Sequence, residues 1–235
     1  MDDLFLALGM LSRIKVPEIK KANHARSTVY FPLVGVFAAL ISFVSHYSLT
    51  FIFQEALSRM LSIGLYFLLF GYFHFDGLLD VIDGFFPSHK TPDQRLAIMK
   101  DSNTGAFSLL FGVLFISLEI FCVLSSDIRW ILFPIFGRLS VPLLLAVSKP
   151  ATKKGLGQLY FPYPKRYAIF SLIFIIPILF FFPLTAFFIP FQCLMILLIS
   201  NISKHKINGI TGDVIGFSVM INELLFLLFL NVSIV

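Results

Sequence analysis

The sequence predicts an all-α fold, a polytopic transmembrane helical bundle forming a single domain over residues 1–235. Two observations predict it. The chain is 58% hydrophobic and 13% charged, with 30 phenylalanines and a mean hydropathy of +0.92. A soluble domain of this size has too little interior to bury that much apolar side chain. The apolar residues also gather in blocks near the roughly 20 residues a helix needs to cross a bilayer. About seven spans result, at 30–53, 57–73, 106–125, 128–147, 167–182, 184–200 and 214–234.

Taken in order, residues 1–28 lack the basic leader of a cleaved signal, and "DDLFLALGMLSRI" predicts an amphipathic helix lying in the membrane interface. The first three spans are apolar nearly throughout. Pro134 and Pro142 fall inside the fourth, where neighbouring helices can satisfy the freed carbonyls. Residues 167–200 form one apolar block, split at "FFFPLT" because Pro183 disfavours helix in the residue before it. Cys122 and Cys193 lie within spans and read as packing residues.

Charge sets the expected orientation. Arg13, Lys15, Lys20, Lys21 and Arg26 precede the first span, and the second, fourth and sixth spans are followed by further lysines and arginines. The opposite links hold only Arg59 and Arg129. Cytoplasmic loops are enriched in Lys and Arg, so the N-terminus and the basic links are expected in the cytoplasm, with the C-terminus outside.

The region 74–104 carries the chemistry. In "HFDGLLDVIDGF", Asp76, Asp80 and Asp83 stand at i, i+4 and i+7, within roughly 60° of one another on a helix. Facing lipid, three aspartates would cost on the order of 8–10 kcal/mol. The stripe is therefore expected to line a hydrated cavity holding a divalent cation. Magnesium combines one or two carboxylates with substrate phosphates, and Gly77 and Gly84 leave room for a close ligand. A second piece, "MKDSNTGAFS", offers Asp101 as a further ligand, with Ser102 to Thr104 also suited to capping the next helix.

A third piece, "NGITGDVIGFSVMINELLFL", places Asp213 among glycines and Glu223 deeper in the span, with Arg138 as its obvious partner. Intramembrane charges are functional candidates by default, although an ion pair serving structure alone accounts for both. Glu119, nearer the outer side, has no assigned role. His74 is a candidate contact for phosphate or carboxylate.

These three pieces, with "SRIKVP", "RSTVYFPLVG" and "GLGQLY", closely resemble the cobalamin synthase family, the adenosylcobinamide-GDP ribazoletransferases, in order from about Ser12 to Leu230. The resemblance implies a magnesium-dependent membrane enzyme of the cytoplasmic (inner) membrane, acting in the last assembly step of coenzyme B12. Its partners would be adenosylcobinamide-GDP, α-ribazole or its 5′-phosphate, and membrane lipid; nucleic acid is not implied, and a homo-oligomer stays open. Carried over by motif, Asp76, Asp80, Asp83 and Asp101 form the acidic core, with Asp83 or Asp101 expected as general base. His74, Arg138, Lys153, Lys154, Asp213 and Glu223 are the expected substrate contacts. Lys153 and Lys154 stand where the family pattern leads one to expect acids.

Two other readings fit parts of the pattern. A CDP-alcohol phosphotransferase also spaces aspartates on a membrane helix, but its pattern follows Asp-Gly with Ala-Arg, whereas Gly77 is followed by "LLDVIDG". A cation transporter should distribute acids through the bilayer and show an inverted repeat; here most acids gather at one face.

Overall fold

The computed structural model describes residues 1–101 and 103–232; Ser102, an expected cap, and residues 233–235, where the last expected span ends, lie outside the described residues. Helix α1 spans Asp2–Leu11. Two long helices follow, α2 (His24–Leu49) and α3 (Glu55–Phe85), then the short α4 (Pro92–Ile98), opened by a capping box of Thr91 and Gln94. Next come α5 (Ala106–Ser125) and α6 (Ile128–Val147), the short pieces α7 (Arg166–Ser171) and α8 (Ile176–Phe181), and finally α9 (Pro183–Ile207) and α10 (Gly212–Leu230). Among the described residues there is no strand, only an isolated parallel bridge between Pro150 and Ile210.

Among the described residues, six helices are long and apolar enough to cross a membrane: α2, α3, α5, α6, α9 and α10. The expected span at 167–182 is not a continuous helix. Helices α7 and α8 are separated by a 3-10 turn at Leu172–Phe174, and Pro177 lies in the first turn of α8. A continuous helix there would need the amide that Pro177 lacks and would drive its ring into the carbonyl of residue 173. The Pro150–Ile210 bridge joins the end of α6 to the end of α9. The start of α9 therefore lies at the other end of the bundle, and the broken segment carries the chain across.

Helix α6 is the centre of the bundle, packed mainly against α2 and α10, and each residue from Phe133 to Pro142 is buried. Gly35 lets α2 approach it, since a methyl group there would sit 2.7 Å from the Pro134 carbonyl oxygen. Helix α9 instead exposes Leu194, Leu197, Leu198 and Ile202. A band of this kind is what a lipid-facing helix presents.

Helix α1 is docked rather than trailing. The Asp2 and Asp3 carboxylates each accept a backbone N–H, from Lys21 and Asn23, at 2.9 Å, and Asp3 pairs with Arg26. The Arg13 N–H donates to the Leu69 carbonyl at 2.9 Å. That carbonyl belongs to a π-helical turn, Phe67–Gly71, inside α3. Such turns disturb the regular ladder; the neighbouring Phe70 carbonyl accepts from Arg138 at 2.9 Å.

Candidate active site

Past the π turn, α3 runs on without a break and carries Asp76, Asp80 and Asp83. The residues between them alternate as the apolar pattern requires: Leu78, Val81 and Ile82 are buried, while the aspartates are half-buried or exposed. The end of α3 is held by cations, as its terminal carbonyls favour. Arg95, itself buried, donates to the Gly84 carbonyl at 2.8 Å and the Phe85 carbonyl at 3.1 Å. Lys206 Nζ reaches the same Phe85 carbonyl at 3.1 Å.

Two glycines bring α10 onto this helix. A methyl group on Gly77 would lie 2.7 Å from the Asp213 carbonyl oxygen, and one on Gly216 would lie 3.2 Å from the His74 Cα. Close backbone approach at both points sets Asp213 beside the aspartate stripe. Asp80 accordingly lies within electrostatic reach of Asp213, Asp76 and Asp83. Thr211 caps α10, its hydroxyl accepting from the Val214 N–H at 3.3 Å and contacting the Asp213 carboxylate at 3.1 Å.

Asp213 stands where two hollows meet. One, about 200 Å³, is lined by Lys100, Thr152, Lys154, Thr211 and the Gly155–Gly157 turn. The other, about 170 Å³, is lined by Asp76, His74 and the apolar side chains of Met10, Leu11, Phe31 and Tyr160. Leu156, Gly212 and Asp213 line both. Burial holds the Tyr160 phenol above the usual tyrosine range, with Tyr163 adding to the effect, so Tyr160 is a neutral wall.

The remaining expected site residues fall elsewhere. Asp83 Oδ2 accepts from the Gly105 N–H at 2.8 Å and the Ser108 hydroxyl at 2.6 Å, so this carboxylate caps the start of α5. Asp101 is exposed, and its Oδ1 accepts from the Asn103 N–H at 3.0 Å and side-chain amide at 2.8 Å. Lys153 and Lys154 are both exposed, and of the two Lys154 alone lines the basic hollow. Arg138 and Glu223 pair with each other at 0% exposure, and the Tyr66 hydroxyl donates to Glu223 at 2.7 Å. Glu119, also at 0% exposure, lies within electrostatic reach of that pair.

The donor set suits a hard cation in a specific way. Among the described residues, Asp76, Asp80 and Asp213 belong to no ion pair, although Lys100 lies within electrostatic reach of Asp213. Among the described residues, no group of three or more His, Cys, Asp or Glu converges closely enough to hold an ion unaided. An ion that takes two carboxylates and completes its shell with phosphate and water oxygens fits this arrangement; an all-protein cage does not.

Several lining residues were not singled out from the sequence. Lys100 follows the short helix α4, Tyr160 lies inside "GLGQLY", and Met10 and Leu11 belong to a helix expected to lie in the interface. Their common signal is proximity in space, which no local spacing encodes.

The chain matches known proteins along nearly its whole length. The family model described as cobalamin-5-phosphate synthase matches residues 3–231. A protein of Thermosipho melanesiensis named adenosylcobinamide-GDP ribazoletransferase is 37% identical over 238 residues, covering 98% of each chain. Proteins of the same name from Kosmotoga olearia and Fervidobacterium nodosum are 38% identical over 95% of each chain and 35% identical over 98% of this chain and 97% of the relative. No solved structure matches the chain. With full-length coverage by the family model and relatives above 30% identity, the chain belongs to the cobalamin-5-phosphate synthase family.

Proposed function

We propose that the chain is an adenosylcobinamide-GDP ribazoletransferase of the cytoplasmic (inner) membrane, using magnesium at a site that faces the cytoplasm. It joins adenosylcobinamide-GDP to α-ribazole or its 5′-phosphate and releases GMP. The relatives carry that name, and the matches favour neither a phospholipid-synthesising phosphotransferase nor a cation transporter. The observation that carries the site assignment is the glycine contact of Gly77 with Asp213. It juxtaposes acids from two helices, with Lys100 and Lys154 across the same cleft.

The reaction is a phosphoryl transfer, in which positioning and electrostatics do most of the work. The lysines attract the diphosphate of the donor and remain to stabilise the GMP that departs. A ribose hydroxyl oxygen attacks the cobinamide-side phosphorus, the bond from that phosphorus to the GMP oxygen breaks, and GMP takes the electron pair. Asp213, half-buried between the two hollows, accepts the hydroxyl proton as general base. Asp76 and Asp80 hold the magnesium ion, which when bound offsets charge on the diphosphate and leaving group.

Asp83 and Asp101 then act as supports. Asp83 fixes the start of α5, and Asp101 ties its loop through Asn103. The basic flank of α1 and α2, and the lysines ending α6 and α9, orient these ends inward. GMP release from adenosylcobinamide-GDP by purified protein in liposomes, with α-ribazole supplied and magnesium present or chelated, tests the whole assignment. Release that is independent of both acceptor and metal would defeat it.

A further inference from the structure

We infer that the apolar hollow is the seat of the acceptor's aromatic base, so that residues of α1 and α2 and the turn at 156–160 select the size of that base. This rests on the reaction proposed above and assigns a substrate to one half of its cleft. At about 170 Å³ the hollow is smaller than the ~300–1,000 Å³ of sites that take whole drug-sized ligands. It accommodates a fragment, one bicyclic ring system, and neither a nucleoside diphosphate nor a corrinoid.

Its walls say what kind of fragment. Met10, Leu11, Phe31 and Tyr160 present carbon, with the Phe31 and Tyr160 rings edge to face at 6.2 Å between centroids. The polar groups lie together: Asp76 and Asp213, with His74 beside them. His74 is only 6% exposed, and its Nε2 has no hydrogen-bond partner among the described residues. That nitrogen is enclosed by its neighbours, so the carboxylates of Asp76 and Asp213 are the polar groups the hollow offers to a ligand. The matching ligand is apolar over most of its surface and carries hydroxyls at one end, which describes an aromatic base bearing a ribose.

The donor's guanine does not match. With its ribose toward Asp213, its amide and amino edge would enter a wall of carbon with its hydrogen bonds unmade, at about 1–3 kcal/mol per group; with that edge turned to Asp76 and Asp213, its ribose and diphosphate would point away from Lys100 and Lys154. The diphosphate belongs in the other hollow, with Lys100, Thr152 and Lys154. Because Leu156, Gly212 and Asp213 border both spaces, a base seated on one side brings its ribose hydroxyl to Asp213 and to the phosphorus on the other.

The test uses full-length protein in liposomes and two readouts, GMP release and equilibrium binding of α-ribazole followed by its own fluorescence. Met10→Trp, which fills the hollow from a half-buried position, is expected to weaken α-ribazole binding and raise its KM roughly tenfold or more. The KM for adenosylcobinamide-GDP should stay within about twofold. Phe73→Ala, at an exposed position of the same lining, widens the mouth and should shift preference roughly tenfold toward a bulkier naphthimidazole riboside. A rise in donor KM with acceptor KM unchanged would put guanine in the hollow and overturn the inference. Unaltered acceptor binding in both variants would overturn it too. Loss of α-ribazole binding in Met10→Trp supports the seat even where no variant releases GMP, a result that counts against the proposed reaction alone.

Discussion

Gly77 faces the backbone of Asp213 so closely that an added methyl group would lie 2.7 Å from its carbonyl oxygen. The obstruction is main chain, which cannot rotate away as a side chain would. Gly77→Val should therefore push α10 off α3 and separate Asp213 from the aspartates. A displacement near 1 Å costs on the order of 100-fold in rate. Measured kcat/KM for GMP release should fall by at least that much, while membrane insertion persists. Activity near that of the unsubstituted protein would show that the crossing does not set the catalytic geometry.

Asp80→Asn removes a charge with little change in shape. Because Asp80 sits among Asp76, Asp83 and Asp213, its loss should abolish GMP release and leave insertion intact. Near-normal turnover would remove Asp80 from the metal site.

Chelation provides an independent check. Removing magnesium should stop GMP release from the intact protein, and readdition should restore it, because under the proposed assignment Asp76 and Asp80 hold the ion together with phosphate oxygens. Persistent turnover in excess chelator would exclude a metal-assisted route.

Asp83 separates two roles that share one helix. Its carboxylate accepts from the Gly105 N–H and the Ser108 hydroxyl, so Asp83→Ala should cost about 1 kcal/mol as a lost helix cap. Thermal unfolding in detergent would register this as a lower Tm. The magnesium concentration for half-maximal activity should stay in place; a tenfold rise would put Asp83 among the ligands of the ion.

Arg138 and Glu223 should behave as a unit. Both are fully buried, and removing one partner of such a pair leaves an uncompensated charge, at a cost of about 3–5 kcal/mol. Arg138→Met or Glu223→Leu alone should lower Tm sharply and reduce yield. The double substitution should recover most of that loss. A double variant no better than either single one would mean that the pair has a task beyond holding the bundle together.

The comparison of sequence with structure divides along physical lines. Asp76, Asp80 and Asp83 could be read as one stripe because helical periodicity is local, and the continuity of α3 needed no tertiary information. Arg138 and Glu223 could be matched because deep opposite charges must find each other. The cap made by Asp83 could not, since its partners are a backbone N–H and a hydroxyl more than twenty residues on. Arg95, a charged side chain on the short helix α4, is buried against the end of α3, a contact that no local spacing encodes. At 167–182, hydropathy marked a crossing but was blind to the proline that breaks its helix. Seven apolar blocks do not make seven continuous rods.

The walls around Asp213 come from helices far apart in the sequence, Met10 and Leu11 from α1 and Ile215 and Gly216 from α10. During synthesis, then, the aspartates of α3 leave the ribosome long before the helix that will face them. A chain released early would display those acids without the segment that completes the cleft. Partial products should therefore be inert, and the finished catalyst should come into being only when the last helix is threaded into place.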